Sequence, residues 1–145
     1  METVVIDANL AVALLVERPW SAFAEQQMLD WKSRRVRLCV PALWPSEVMS
    51  ALRKAIYQGQ LDQDDALKLV SAVETWDVQV YIPDGELNRS SLIWSQRLGQ
   101  MVAYDAQYLA LAERLNADFY TADKKLFNRC QEIGAHFVHL LEAER

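Results

Sequence analysis

Apolar residues along this 145-residue chain repeat with two different periods. Short β-branched or alternating runs occur at Val4-Val5-Ile6, Arg37-Leu38-Cys39-Val40, Val78 to Ile82, Asp118 to Thr121 and Phe137 to Leu140, and each predicts a strand. The stretches between them carry a helical period. Trp20, Phe23, Ala24, Gln27, Met28 and Trp31 form one stripe, and Val48, Ala51, Leu52, Ala55 and Ile56 form a second. Stripes of this width predict helices with one face turned to a core. Asp62 to Thr75, Gly85 to Leu98 and Tyr104 to Leu115 read as further helices, the last on Tyr108, Leu111, Ala112 and Leu115. The breaker cluster Ile82-Pro83-Asp84-Gly85 predicts a strand-to-helix turn. Strands alternate with helices from end to end, without a linker, a repeat or a low-complexity segment. The expected fold is a single α/β domain over residues 1–145, with a mostly parallel central sheet of about five strands covered by helices on both faces.

Composition narrows the class. With 52% hydrophobic and 24% charged residues and only four Gly and four Pro, the chain is globular rather than disordered or fibrous. Its apolar runs fall short of the roughly 18 residues of a membrane span, and Met1-Glu2-Thr3 lacks the basic flank of a signal peptide, so a cytoplasmic location is expected. Cys39 and Cys130 show no CxxC spacing and read as buried or idle thiols. His136 and His139 are three apart in a strand-like pattern that would send them to opposite faces, which argues against a histidine metal site or a Ser-His-Asp triad.

Fifteen basic residues against twenty acidic give a net charge of −5, which excludes a protein that coats nucleic acid by bulk electrostatics. A nucleic acid would have to be held by local patches: Lys32-Ser33-Arg34-Arg35-Val36-Arg37, then Lys124-Lys125 and Arg129. The first patch reads equally well as a helix end whose cations complement the helix dipole.

In an open parallel sheet, ligand chemistry gathers beyond the carboxyl ends of the strands and at the starts of the following helices. Four acids satisfy that rule. Asp7 follows Val4-Val5-Ile6, and Glu47 lies in the first turn of a helix announced by Pro45-Ser46. Asp105 opens a helix, and Asp123 lies two residues past Thr121. Taken singly, each has a structural explanation as a helix cap or first-turn acid. Taken together, they converge on one volume, where clustered ionised carboxylates repel one another unless a cation joins them. An all-oxygen donor set without His or Cys suits Mg²⁺ or Mn²⁺, and such an ion supports phosphodiester hydrolysis.

Four segments in this order resemble the PIN-domain family, and within it the small VapC-type toxins of toxin–antitoxin pairs. They are Val5-Ile6-Asp7-Ala8-Asn9, Pro41-Ala42-Leu43-Trp44-Pro45-Ser46-Glu47-Val48, Tyr104-Asp105-Ala106-Gln107-Tyr108-Leu109-Ala110-Leu111-Ala112, and Ala117-Asp118-Phe119-Tyr120-Thr121-Ala122-Asp123-Lys124-Lys125-Leu126. Carried over position by position, the family's catalytic and metal-site acids fall on Asp7, Glu47, Asp105 and Asp123, with Asn9 and Thr121 in supporting roles. The resemblance implies a PIN-like three-layer sandwich, dependence on Mg²⁺ or Mn²⁺, an RNA substrate and a homodimer. It further implies a small antitoxin that inserts a segment near the acidic groove. The net charge of −5 departs from the more basic surface of many such toxins, which bears on RNA affinity.

Two other folds with an early Asp fit less well. A haloacid-dehalogenase-type phosphatase needs a second acid two residues on, where this chain has Asn9, and a response-regulator receiver needs paired early acids. The competing functions within a PIN-like fold are a binding module for RNA or protein without catalysis and a housekeeping RNA-processing nuclease. Trp20 and Trp44 are candidate stacking surfaces for RNA bases, although packing explains both.

Overall fold

The computed structural model describes residues 1–142. Its order is β1 (Thr3–Ile6), α1 (Ala8–Leu15), α2 (Ser21–Ser33), β2 (Arg37–Pro41), α3 (Trp44–Tyr57), α4 (Gln63–Glu74), β3 (Gln79–Tyr81), α5 (Gly85–Leu98), α6 (Tyr104–Leu115), β4 (Asp118–Thr121), α7 (Lys124–Glu132) and β5 (Val138–Leu140). All five strands are parallel, in the order β3-β2-β1-β4-β5. Right-handed crossovers then place α1 to α4 on one face and α5 to α7 on the other. The packing agrees: α1 meets α2 and α3, α3 meets α4, and α5 lies along α6, which covers β1, β2 and β4. The result is the three-layer α/β sandwich with a five-stranded parallel sheet that the alternation predicts.

The central strand shows why an unbroken apolar run was needed. Val4, Val5 and Ile6 are all buried, because helices cover both sides of β1. Trp31, Tyr108 and Phe119 are the largest fully buried side chains. Tyr108 stacks on Phe119 with centroids 5.2 Å apart and planes at 21°, which locks α6 onto β4. The edge strand β3 is shorter than the expected Val78 to Ile82. It pairs only with β2, and Val80 and Ile82 are left exposed.

Local signals set the helix ends. Asp62 and Asp84 cap α4 and α5 by accepting from the Asp65 and Leu87 amides. Gly99 ends α5 at φ +71, the left-handed conformation that glycine adopts most easily. The histidine pair does not share a strand: β5 begins at Val138, so His136 stands before it, exposed, while His139 stacks on Tyr120. Trp44 is buried, and Trp20 is half-buried with its Nε1 donating to the Asn9 carbonyl, so both pack rather than present stacking surfaces. Cys39 and Cys130 are free and buried. No helix among the described residues is long and apolar enough to cross a membrane.

Candidate active site

The strand order reverses at β1. The chain first builds outward through β2 and β3, then returns to place β4 on the other side. Crevices at such reversals, beyond the carboxyl ends of the strands, are where open parallel sheets bind ligands. The Asp7 amide extends the ladder by donating to the Tyr120 carbonyl at 2.9 Å, so the end of β1 is tied to the end of β4.

Asp7 occupies the cap position of α1, yet its side chain makes no cap hydrogen bond. Its Oδ2 instead accepts from Thr121 Oγ1 at 2.7 Å and from Asn9 Nδ2 at 3.3 Å. Thr121 is fully buried, and its hydroxyl also accepts from the Asp123 amide at 3.0 Å. Asn9 donates to Thr121 Oγ1 at 3.2 Å and accepts from the Ala122 amide at 3.0 Å, bridging β1 to the loop after β4. Asn9 and Thr121 are therefore the brace that joins the first acid to the last.

The remaining acids each have a separate donor. Glu47, in the first turn of α3 behind Pro45, accepts from the Tyr108 hydroxyl at 2.6 Å through Oε1. Asp105, in the first turn of α6, accepts from Gln100 Nε2 at 2.8 Å through Oδ2. Asp123 does cap a helix, since its Oδ1 accepts from the Leu126 amide at 3.0 Å. One oxygen of every carboxylate is thus held by the protein. Among the described residues, no hydrogen bond engages Glu47 Oε2, Asp105 Oδ1 or Asp123 Oδ2.

Asp7, Glu47 and Asp105 feel the charge of neighbouring acids. Asp7 is pushed up from 3.8 to about 7, chiefly because burial strips water from its carboxylate; Thr121 opposes the shift, while Glu47 and Asp105 add to it. Burial and the Asp105 charge raise Glu47, and burial and the Asp123 charge raise Asp105. Among the described residues none of the four forms an ion pair: the salt bridges lie elsewhere, on Asp30, Asp84, Asp118 and other acids. Negative charge therefore accumulates at the end of the sheet without an ion-paired cation among the described residues. As the side chains stand, no three Asp, Glu, His or Cys groups among the described residues form a ready-made ligand set. The donor chemistry nevertheless fits a hard divalent cation: the four acids offer carboxylate oxygens.

The basic patches come apart. Arg34 pairs with Asp30 and Glu2. Arg129 donates through Nε to the Leu98 carbonyl at 3.0 Å and through Nη2 to the Arg97 carbonyl at 3.2 Å, closing the end of α5. Lys124 and Lys125 are exposed beside Asp123. A cavity of about 1160 Å³ opens at the amino ends of β2 and β3, lined by Leu29, Trp31, Arg37, Trp76 and Gln79 among others. It lies at the opposite end of the sheet from the acids and contains none of them.

Two residues at the cluster escaped the sequence reading. Tyr108 entered only as part of a core stripe, although a buried tyrosine one turn after an acid needs a partner for its hydroxyl. Gln100, in the loop before α6, gave no signal.

Comparison with known proteins places this chain in a family. The PIN domain model matches residues 4–132. A protein named ribonuclease VapC9, from Mycobacterium tuberculosis, is 35% identical over 130 residues, covering 85% of this chain and 87% of the relative. The structure of PAE2754 from Pyrobaculum aerophilum superposes with a TM-score of 0.65 at 25% identity, over 89% of this chain and 79% of that one. A toxin–antitoxin complex from Klebsiella pneumoniae gives 0.68 at 18% identity, over 97% and 99%, and so shares the fold. On the breadth of the model match and the identity to the mycobacterial relative, this chain belongs to the PIN-domain family and groups with its VapC members.

Proposed function

We propose that this protein is a metal-dependent endoribonuclease that hydrolyses RNA phosphodiester bonds at Asp7, Glu47, Asp105 and Asp123, and acts as the toxin of a type II toxin–antitoxin pair. The observation that carries the reading is the gathering of four carboxylates, three of them raised by burial and by a neighbouring acid and none ion-paired among the described residues, at the topological reversal of a parallel sheet. Its supports are a relative named as a ribonuclease and fold neighbours solved as toxin–antitoxin complexes.

Asp7, Glu47, Asp105 and Asp123 would hold Mg²⁺ or Mn²⁺. A bound cation of this kind offsets charge on the scissile phosphate and makes water a stronger nucleophile at neutral pH. The chain's own part is orientation. Thr121 and Asn9 fix Asp7, Gln100 fixes Asp105, and the α7 amide end fixes Asp123. Lys124 and Lys125, the exposed cations next to Asp123, are the side chains that would meet RNA phosphates flanking the cut in a chain of net charge −5.

The partners in this reading are RNA, a small antitoxin protein and a second copy of the chain. The apolar side chains of α1 are spent inside the monomer, where Leu10, Ala11, Val12 and Ala13 are buried. Leu92 and Ile93 on α5, with Met101, Val102 and Tyr104 after it, are among the apolar side chains left exposed and are the stretch offered to a homodimer.

Incubation of the purified protein with a mixed RNA pool in Mg²⁺, Mn²⁺ or EDTA tests the proposal. Cleavage only with metal is the expected result. Cleavage that persists in EDTA contradicts the metal reading. RNA binding without cleavage in any buffer favours the binding module.

A further inference from the structure

The Tyr108 hydroxyl lies in a place that packing does not explain. Tyr108 is on α6, Glu47 is on α3, and these helices cover opposite faces of the sheet. Their side chains meet past its end through a 2.6 Å hydrogen bond spanning 61 residues of sequence. The ring is 1% exposed and stacked on Phe119, so the hydroxyl cannot swing away to another partner. Glu47 is less confined: it lies at the half-buried start of α3 and has three side-chain torsions. The rigid member of the pair is the tyrosine.

We propose that Tyr108 is a positioning residue that holds Glu47 by Oε1 and so presents Oε2 to the cation, making Glu47 a one-oxygen ligand in a fixed rotamer. This inference rests on the metal-site reading above and adds to it the device that orders one of the four acids.

Geometry leaves few alternatives for the hydroxyl. The hydroxyl donates to Glu47 Oε1, and the buried, stacked ring holds it there. A tyrosine held in this way remains a donor, and a donor to one oxygen of a carboxylate withdraws that oxygen from a metal's coordination sphere while leaving its partner free. Without the bond, Glu47 would sample rotamers that turn it to solvent, away from the like charge of Asp105. Each binding event would then have to order it again. Supporting groups of this kind change metal affinity by roughly 10- to 100-fold when removed. The aromatic stack does not need the hydroxyl, so Tyr108→Phe separates orientation from packing.

The test is Mn²⁺ binding, followed by the electron paramagnetic resonance of free Mn²⁺, in wild type, Y108F, E47Q and the E47Q/Y108F double variant, with circular dichroism to show that each is folded. Y108F is expected to weaken Mn²⁺ binding about tenfold in the wild-type background. In the E47Q background the same substitution is expected to change affinity less than twofold, because the residue acts through Glu47. Single-turnover RNA cleavage by Y108F should recover towards the wild-type rate as Mn²⁺ is raised. Equal Mn²⁺ affinity of Y108F and wild type overturns the assignment of Tyr108 and leaves the four-acid site standing, as does an equal loss in both backgrounds. Failure of the wild-type protein to bind Mn²⁺ overturns the metal site and this inference together.

Discussion

Asp7→Asn should make the metal-free protein more stable, and the gain should grow with pH. The carboxyl of Asp7 is 8% exposed and is pushed from 3.8 to about 7, mainly by burial, with the Glu47 and Asp105 charges adding to the shift. Because the folded-state value lies above the unfolded one, the carboxyl costs nothing below about 3.8, and stability is lost as pH rises through about 7. Each pKa unit corresponds to about 1.4 kcal/mol, so between pH 5 and pH 8 the wild type gives up roughly 2–3 kcal/mol that an amide would not. Asparagine keeps the shape. Its Oδ1 can accept from Thr121 and Asn9 as Asp7 Oδ2 does, and its amide can face Glu47 and Asp105 without repulsion. The assay is urea unfolding of both proteins in EDTA at pH 5 and pH 8, with the stability difference compared between the two. At about 3 °C per kcal/mol for a domain of this size, thermal melting should show an extra advantage of several degrees for D7N at pH 8. Mg²⁺ should raise the melting temperature of the wild type and leave that of D7N nearly unchanged. An advantage that does not change with pH, or a D7N protein less stable than wild type at pH 8, would refute the claim that Asp7 is a desolvated, repelled carboxylate.

Two further substitutions probe the surroundings. Thr121→Val removes the hydroxyl that serves Asp7, Asn9 and the Asp123 amide, and should cost about 1–3 kcal/mol in urea unfolding as well as most of the RNA cleavage. Arg129→Ala should cost about 1 kcal/mol, through the α5 carbonyls it leaves unpaired, yet leave the cleavage rate of the folded protein within twofold. A large drop in RNA affinity for R129A, measured by filter binding, would return this residue to the nucleic-acid patch.

Long stripes and hydrophobic strands were legible in the sequence because their burial is two-sided or strictly periodic. α5 and α6 fall on the expected Gly85–Leu98 and Tyr104–Leu115, and β4 on Asp118–Thr121. α1 drew no stripe in the sequence, since Ala-Asn-Leu-Ala-Val-Ala-Leu-Leu is apolar almost all round. α7 buries just Leu126 and Cys130, too sparse a pattern to draw a helix from. The chain positions of the four acids could be read because parallel topology decides which strand ends share an edge. The holders of Glu47 and Asp105 could not: the bond between Tyr108 and Glu47 depends on two helices from opposite layers meeting past the sheet, and that between Gln100 and Asp105 on the path of one loop. The carbonyl contacts of Arg129 were illegible for the same reason, as charge along the chain does not reveal which carbonyls a guanidinium will find.

The central claim is that the four acids form one cation-dependent cleavage site, and Asp105→Asn tests it most directly. Asp105 feels the charge of Asp123, is felt by Asp7 and Glu47, and lies in the first turn of α6 with its neighbours already packed. The measurement is the cleavage rate of a single-stranded RNA pool in Mn²⁺ by D105N and wild type, at equal folded concentration. A fall of at least a hundredfold with the fold intact is what the account predicts. Cleavage by D105N at the wild-type rate would contradict it, and would place the chemistry of this protein somewhere other than at the carboxyl end of its sheet.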